Sequence, residues 1–71
     1  MEKNSFNYYV IKHVNEDKFI GIDKACGYPY ESDSLIGAMI TIYNRCKDIY
    51  DDLGKFYINK SHYEIKQIIF K

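Results

Sequence analysis

A chain of 71 residues, 46% apolar and 17% aromatic, makes one small globular domain. Its core is thin, since a chain of this size covers only about 60% of the surface its unfolded form exposes. Ten basic and ten acidic residues cancel, which excludes a whole-molecule field drawing the protein to nucleic acid or anionic lipid.

No apolar run approaches the roughly 18 residues of a membrane span. The first residues, MEKNSFNYYVIKHV, lack a basic segment followed by an apolar one, so export by a signal peptide is not expected and the expected location is cytoplasmic. Cys26 and Cys46 are the two cysteines, which suits a reducing compartment, while a disulfide between them stays open at this point. Eight tyrosines and four phenylalanines exceed what one thin core holds with every hydroxyl satisfied, so some lie at the surface.

Residues 1–5 are polar and expected to fray. Residues 6–14 read as a strand, with Phe6, Tyr8, Val10 and Val14 on one face, interrupted by Lys12, and Asn7, Tyr9, Ile11 and His13 on the other. Asn15, Glu16 and Asp17 form a polar turn into a partner strand over residues 18–23, with Ile20 and Ile22 on one face and Phe19 on the other. Gly21 within that strand marks a bulge or a close approach by another element. Residues 24–32, KACGYPYES, read as a loop. Pro29 fixes its own φ and biases Tyr28 to extended backbone.

The longest regular signal runs over residues 33–54. Leu35, Ile36, Met39, Ile40, Tyr43, Cys46, Ile49, Tyr50 and Leu53 recur at steps of three and four, which puts them on one side of a helix. Ser32, Asp33 and Ser34 are N-cap candidates, and Gly54 fits the C′ position. Gly37, the β-branched run of Ile40, Thr41 and Ile42, and Asp51 with Asp52 at the negative end of the dipole stand against one unbroken helix. The alternative is a strand over 38–43 followed by a short helix over 45–53 capped by Asn44, and both readings stay open. Residues 55–58 and 62–70 read as strands, turned into a hairpin by Asn59, Lys60 and Ser61.

The phrases YYVIK, KFIGIDKACGYPY and YEIKQIIF together resemble a pattern of small phage-encoded proteins. In these a V-I-K strand precedes a hairpin ending in a D-x-A-S-G-G-Y-P-Y-like loop, and an aliphatic segment, a short helix and a terminal strand follow. Asp23, Ala25, Gly27, Tyr28, Pro29 and Tyr30 match the loop; Cys26 stands where serine is usual, and one glycine is missing. The resemblance covers most of the chain and is structural, diagnosing no chemistry. It implies proteins of the kind that bind and disable host machinery, restriction and CRISPR effectors among it. Lys outnumbers Arg nine to one and Trp is absent, the usage of an AT-rich genome such as a low-GC bacterium or its phage.

His13, His62, Cys26 and Cys46 have no metal-ligand spacing and lie on different elements, and Cys46 belongs to the apolar stripe. The four glycines are scattered and build no phosphate loop. Asp48, Asp51 and Asp52 cluster near one helix end where they are expected to be solvated, whereas a general acid needs a desolvating environment. No catalytic residue, metal or cofactor is expected.

Charge is uneven. The acids Glu31, Asp33, Asp48, Asp51 and Asp52 gather on the loop and helix beside Tyr28 and Tyr30. Aromatic anchors and steering carboxylates of that kind suit a basic protein partner. Alternatively, Lys55, Tyr57, Lys60, Tyr63 and Lys66, from a lysine-rich C-terminal region, suit stacking and phosphate contacts to single-stranded nucleic acid. A homodimer through an open strand edge or leftover apolar helix surface is a further option.

The expected fold is α+β: a small antiparallel-rich sheet, built from an N-terminal hairpin plus a C-terminal strand or hairpin, with one main helix packed on one face. The expected function is that of a non-enzymatic phage-type accessory protein that binds and inhibits a host protein in the host cytoplasm.

Overall fold

Four strands pair antiparallel in the order β3-β2-β1-β4: β1 (Tyr8–His13), β2 (Phe19–Ile22), β3 (Pro29–Ser32) and β4 (Tyr63–Ile68). One main helix, α1 (Tyr43–Asp52), runs on into a 3-10 turn, Leu53–Phe56. Two further 3-10 turns, Leu35–Gly37 and Lys60–His62, precede α1 and β4. This computed structural model describes residues 8–68. The expectations for residues 1–5, Phe6, Asn7, Ile69 and Phe70 lie outside the described residues.

The helix covers β1 and β4. Cys46, Ile49, Tyr50 and Leu53 fall on its inner side, and with Ile11, Ile20 and Tyr63 they build the core. Ile11 sits opposite Ile65 across the β1–β4 ladder, so alternation along both strands turns Tyr9, Ile11, Tyr63 and Ile65 to the same face, and the buried Val10 to the other. Each fully buried aliphatic contributes about 1.5–3 kcal/mol, and Ile11, Ile20 and Leu53 are completely buried. The α+β class, the single main helix and three of the strands follow the sequence pattern.

Three features depart from it. First, the helix begins at Tyr43, behind Ile42, whose side chain gives no cap bond. Neither a helix from residue 33 nor an Asn44 cap forms. The preceding residues have better partners elsewhere. The β1–β2 hairpin is registered at its closed end, through Lys12 opposite Phe19 and the His13 N–H to the Lys18 carbonyl, 2.8 Å. Towards the open end, residues 39–41 bridge the two strands. The Met39 N–H donates to the Ile20 carbonyl on β2 (2.9 Å), and Thr41 exchanges two hydrogen bonds with Tyr9 on β1 (2.7 and 3.1 Å). Three such bonds, each about 0.5–1.5 kcal/mol net, outweigh helix formation through Gly37 and three β-branched residues.

Second, residues 24–32 are not all loop. Gly27, at φ 74°, turns the chain, and the Asp23 carboxylate accepts from the Ala25 N–H at 2.8 Å. β3 then returns along β2, with Ile22 opposite Pro29 and Gly21 opposite Tyr30. The Asp23 N–H bonds the Tyr28 carbonyl, so by alternation the Pro29 nitrogen points away from β2 and its missing N–H costs no ladder bond. Gly21 answers to the close approach rather than to a bulge, since a methyl group there would collide with the Gly37 carbonyl oxygen crossing above it.

Third, residues 55–58 form no strand. The Leu53–Phe56 turn extends the helix, and Tyr57, not Gly54, takes the left-handed conformation that ends it, its N–H reaching back to Gly54 and Leu53. Asn59 caps the Lys60–His62 turn by accepting from the Ser61 N–H at 3.0 Å. β4 therefore pairs with β1 and not with residues 55–58 in a C-terminal hairpin.

Candidate functional site

Unwinding the segment before α1 turns outward side chains that a helix would have buried. The Ser34 hydroxyl accepts from the Ile36 N–H at 3.1 Å. The Ser32 hydroxyl accepts from the Ser34 N–H at 3.2 Å and donates to the Ser34 carbonyl at 2.9 Å. These bonds fix the short turn Leu35–Gly37 and leave Ile36 96% exposed. Ile40 and Ile42 flank Thr41, whose backbone is tied to Tyr9, and both are exposed, as are Leu35 and Tyr43. A groove of about 710 Å³ opens beside Ile36, lined by Ile22, Tyr30, Ile36, Ala38 and Met39 with Asp23 and Lys24. The Tyr30 hydroxyl donates to the Gly37 carbonyl at 3.3 Å, fastening its ring to the groove wall.

Single exposed aliphatics are ordinary on a protein surface, whereas several gathered on one anchored segment form an adhesive patch. Chemically the segment offers aliphatic anchors and one tyrosine. Leu35, Ile36, Ile40 and Ile42 are its principal residues, and sequence reasoning assigned the first three to the core. The readable signals were the β-branched run and Gly37, which weaken a helix at just these positions.

The sequence-predicted protein-binding residues fall into two groups. Tyr28, Tyr30, Glu31 and Asp33 belong to β3 and its flanks. Tyr28 is exposed and packs on Phe56 with ring centres 5.1 Å apart, which puts it beside the end of α1. Glu31 accepts the Tyr63 hydroxyl from across the sheet, and Asp33 is exposed in the bend before the 3-10 turn.

Asp48, Asp51 and Asp52 form the second group, on α1. Asp51 pairs with Lys47 at 2.8 Å and lies 3.8 Å from Lys60, and Asp52 pairs with Lys55 at 3.3 Å. The hydrogen bond from Lys47 holds the Asp51 carboxyl below the usual range and raises Lys47. The acids at the negative end of the dipole are thus answered locally by lysines, and Asp48 is the exposed carboxylate of the group without an ion pair among the described residues.

Of the lysine–aromatic set, Tyr63 is buried and its ring is out of reach for stacking. Burial first, then its bond to Glu31, raises its hydroxyl well above the ordinary range. Tyr57 is the opposite case: 100% exposed at φ 63°. Lys55 and Lys60 are engaged with Asp52 and Asp51, and Lys60 also lies 5.6 Å from the Tyr50 ring centre. Lys66 is exposed.

His13 and His62 have ring centres 5.7 Å apart. The His13 Nδ1 accepts from the Asn15 and Glu16 N–H groups at 3.0 and 3.1 Å, so it organises the turn. Among the described residues no group of three or more His, Cys, Asp or Glu side chains is placed to hold a metal. Cys26 and Cys46 are free thiols, the first exposed and the second buried. Burial pushes the Cys46 thiol up, against a lowering hydrogen bond from the Thr41 backbone, which is opposite to what an activated nucleophile needs. No helix among the described residues is long and apolar enough to cross a membrane. Compared with known proteins, the chain matches no family model, no curated protein and no solved structure.

Proposed function

We propose that the protein is a non-enzymatic accessory protein of the phage-encoded kind that binds a protein of the host cell and inhibits it, with a defence nuclease of restriction or CRISPR type as the partner class. The observation that carries the binding half is the exposed aliphatic segment: Ile36 at 96% exposure, beside a groove walled by Tyr30, and Ile42 at 57% exposure further along the same segment. A thin-cored domain gains stability from every aliphatic it buries, so aliphatics held outward by specific caps are better explained by a partner that covers them. The phage and host elements rest on the sequence resemblance alone.

In this reading Ile36 enters a partner pocket, Leu35, Ile40 and Ile42 surround it and exclude water, and Glu31, Asp33 and Asp48 contribute charge at the periphery. Affinity purification from host lysate, with mass spectrometry of what is recovered, tests it directly. A host protein is expected with the wild-type chain and is lost with Ile36→Asp, which sits in solvent and leaves the fold intact. Recovery of the same proteins by both, or of none above background, counts against the reading.

A second reading, single-stranded nucleic-acid binding, is favoured by Tyr57, a fully exposed ring between Lys55 and Lys60. It requires salt-sensitive binding of an oligonucleotide that weakens with Tyr57→Ala, and no binding at low salt ends it.

A further inference from the structure

Strand β4 is an edge. It pairs with β1 on one side, and among the described residues no strand lies on the other. The ladder fixes which backbone groups face outward. Val14 N–H bonds the His62 carbonyl at 2.9 Å, so by alternation the pairs Lys12–Glu64 and Val10–Lys66 are the hydrogen-bonded ones. Ile65, between them, turns its N–H and carbonyl away from β1. The same parity holds on the far side of β1, where Tyr9 gives both its backbone groups to Thr41.

Edges of this kind are normally blunted by proline, by a bulge or by charge. β4 has neither of the first two: its six residues, YEIKQI, run regularly from Tyr63 to Ile68. Its charges, moreover, are of opposite sign and two residues apart. Glu64 and Lys66 are both exposed, and neither is in an ion pair among the described residues.

We infer that β4 pairs antiparallel with β4 of a second copy about a two-fold axis at Ile65. An axis perpendicular to the sheet allows only registers in which some residue faces its own copy. With Glu64 on the axis two carboxylates meet, and with Lys66 on the axis two ammonium groups meet. With Ile65 on the axis, Glu64 faces the partner's Lys66 and Lys66 faces the partner's Glu64, so both pairs attract. Opposite charges directly across strands favour pairing and like charges oppose it. In that register Ile65 N–H and carbonyl exchange bonds with the partner's Ile65, and these are the groups the fold leaves pointing outward. A two-fold axis of this kind keeps both helices on one side of the joined sheet. A groove of about 310 Å³, lined by Tyr43, Lys47 and Tyr50 of α1 and by residues 63–65, runs along that side of the edge and is closed by the second copy. Backbone pairing over so short a strand gives an association that depends on concentration. It makes no use of residues 28–42, so it stands or falls apart from the proposed function.

Sedimentation of the full chain over a concentration series up to the millimolar range, at low salt, tests the pairing. The wild type is expected to dimerise. Glu64→Lys and Lys66→Glu, each alone, set like charges against one another at both positions and are expected to raise the dimer Kd by about tenfold or more. An equimolar mixture of these two variants restores the dimer, because every facing pair across the axis is again of opposite sign. Both positions are solvent-exposed, and unchanged circular dichroism confirms that each variant folds. A wild type that stays monomeric throughout overturns the inference, including the case in which the edge takes up only an extended strand of another protein. Dimerisation indifferent to the single substitutions, or a mixture that does not recover it, overturns the register.

Discussion

The Tyr63 hydroxyl crosses the helix-covered face of the sheet to reach Glu31 on the far edge strand. Its ring is buried, so ionising it would set a phenolate in the core beside a carboxylate. Burial, the bond to Glu31 and the nearby charges of Glu31, Glu16 and Asp33 all raise its pKa. The sign of the pH effect follows. Unfolded tyrosine loses its proton near about 10 while folded Tyr63 keeps it, so the unfolded state binds fewer protons above that pH and stability falls as pH rises. Tyr63→Phe is expected to lower the unfolding free energy at neutral pH by about 1–2 kcal/mol. It also flattens the decline above about pH 10. Urea titrations of both proteins at neutral and alkaline pH measure the two effects together. Residue-scale reading of the sequence reached the strand that carries Tyr63 but gave this tyrosine a surface role in the alternative, nucleic-acid reading. Its depth depends on α1 lying over β4, which no local pattern records.

Residues 39–41 decide the geometry at the scale of elements. Their apolar side chains satisfy a helical repeat and a strand alternation equally well, and the deciding partners, the Tyr9 and Ile20 carbonyls, lie about 20–30 positions earlier in the chain. That is why a helix through Cys46, Ile49, Tyr50 and Leu53 was legible in i, i+3, i+4 steps, while residues 38–43 stayed open between helix and strand. β3 escaped notice for a related reason, because Pro29 reads as a breaker unless its nitrogen is known to face away from the neighbouring strand. Amide exchange separates the two arrangements of 39–41. Met39 and Thr41, bonded to the strands, are expected to exchange slowly, and Ile40, with no backbone acceptor among the described residues, quickly. A helix would protect all three.

Charge and apolar surface trade places once the whole molecule is considered. The acids that stood out in the sequence are largely answered by Lys47, Lys55 and Lys60, and exposed ion pairs of this sort contribute little individually. The aliphatics that looked like core are at the surface instead. Association with the proposed partner is therefore expected to depend weakly on salt and on Asp51→Asn or Asp52→Asn, with rate constants within about threefold of wild type. Ile36→Asp is expected to abolish it, as surface plasmon resonance with the recovered partner would show.

β1 also fixes when the fold can exist at all. It draws its neighbours from β2, from residues 39–41 and from β4, which ends at Ile68. While a ribosome is still making the later residues, β1 has no β4 to lie against and α1 has half a floor. Early segments therefore emerge before half of their contacts exist, and the closing of the sheet falls to β4, the last in sequence of the described strands. Because the β1–β4 contacts that close the sheet are distant in sequence, a growing chain of this protein is expected to stay open to chaperones and proteases until β4 is free to dock.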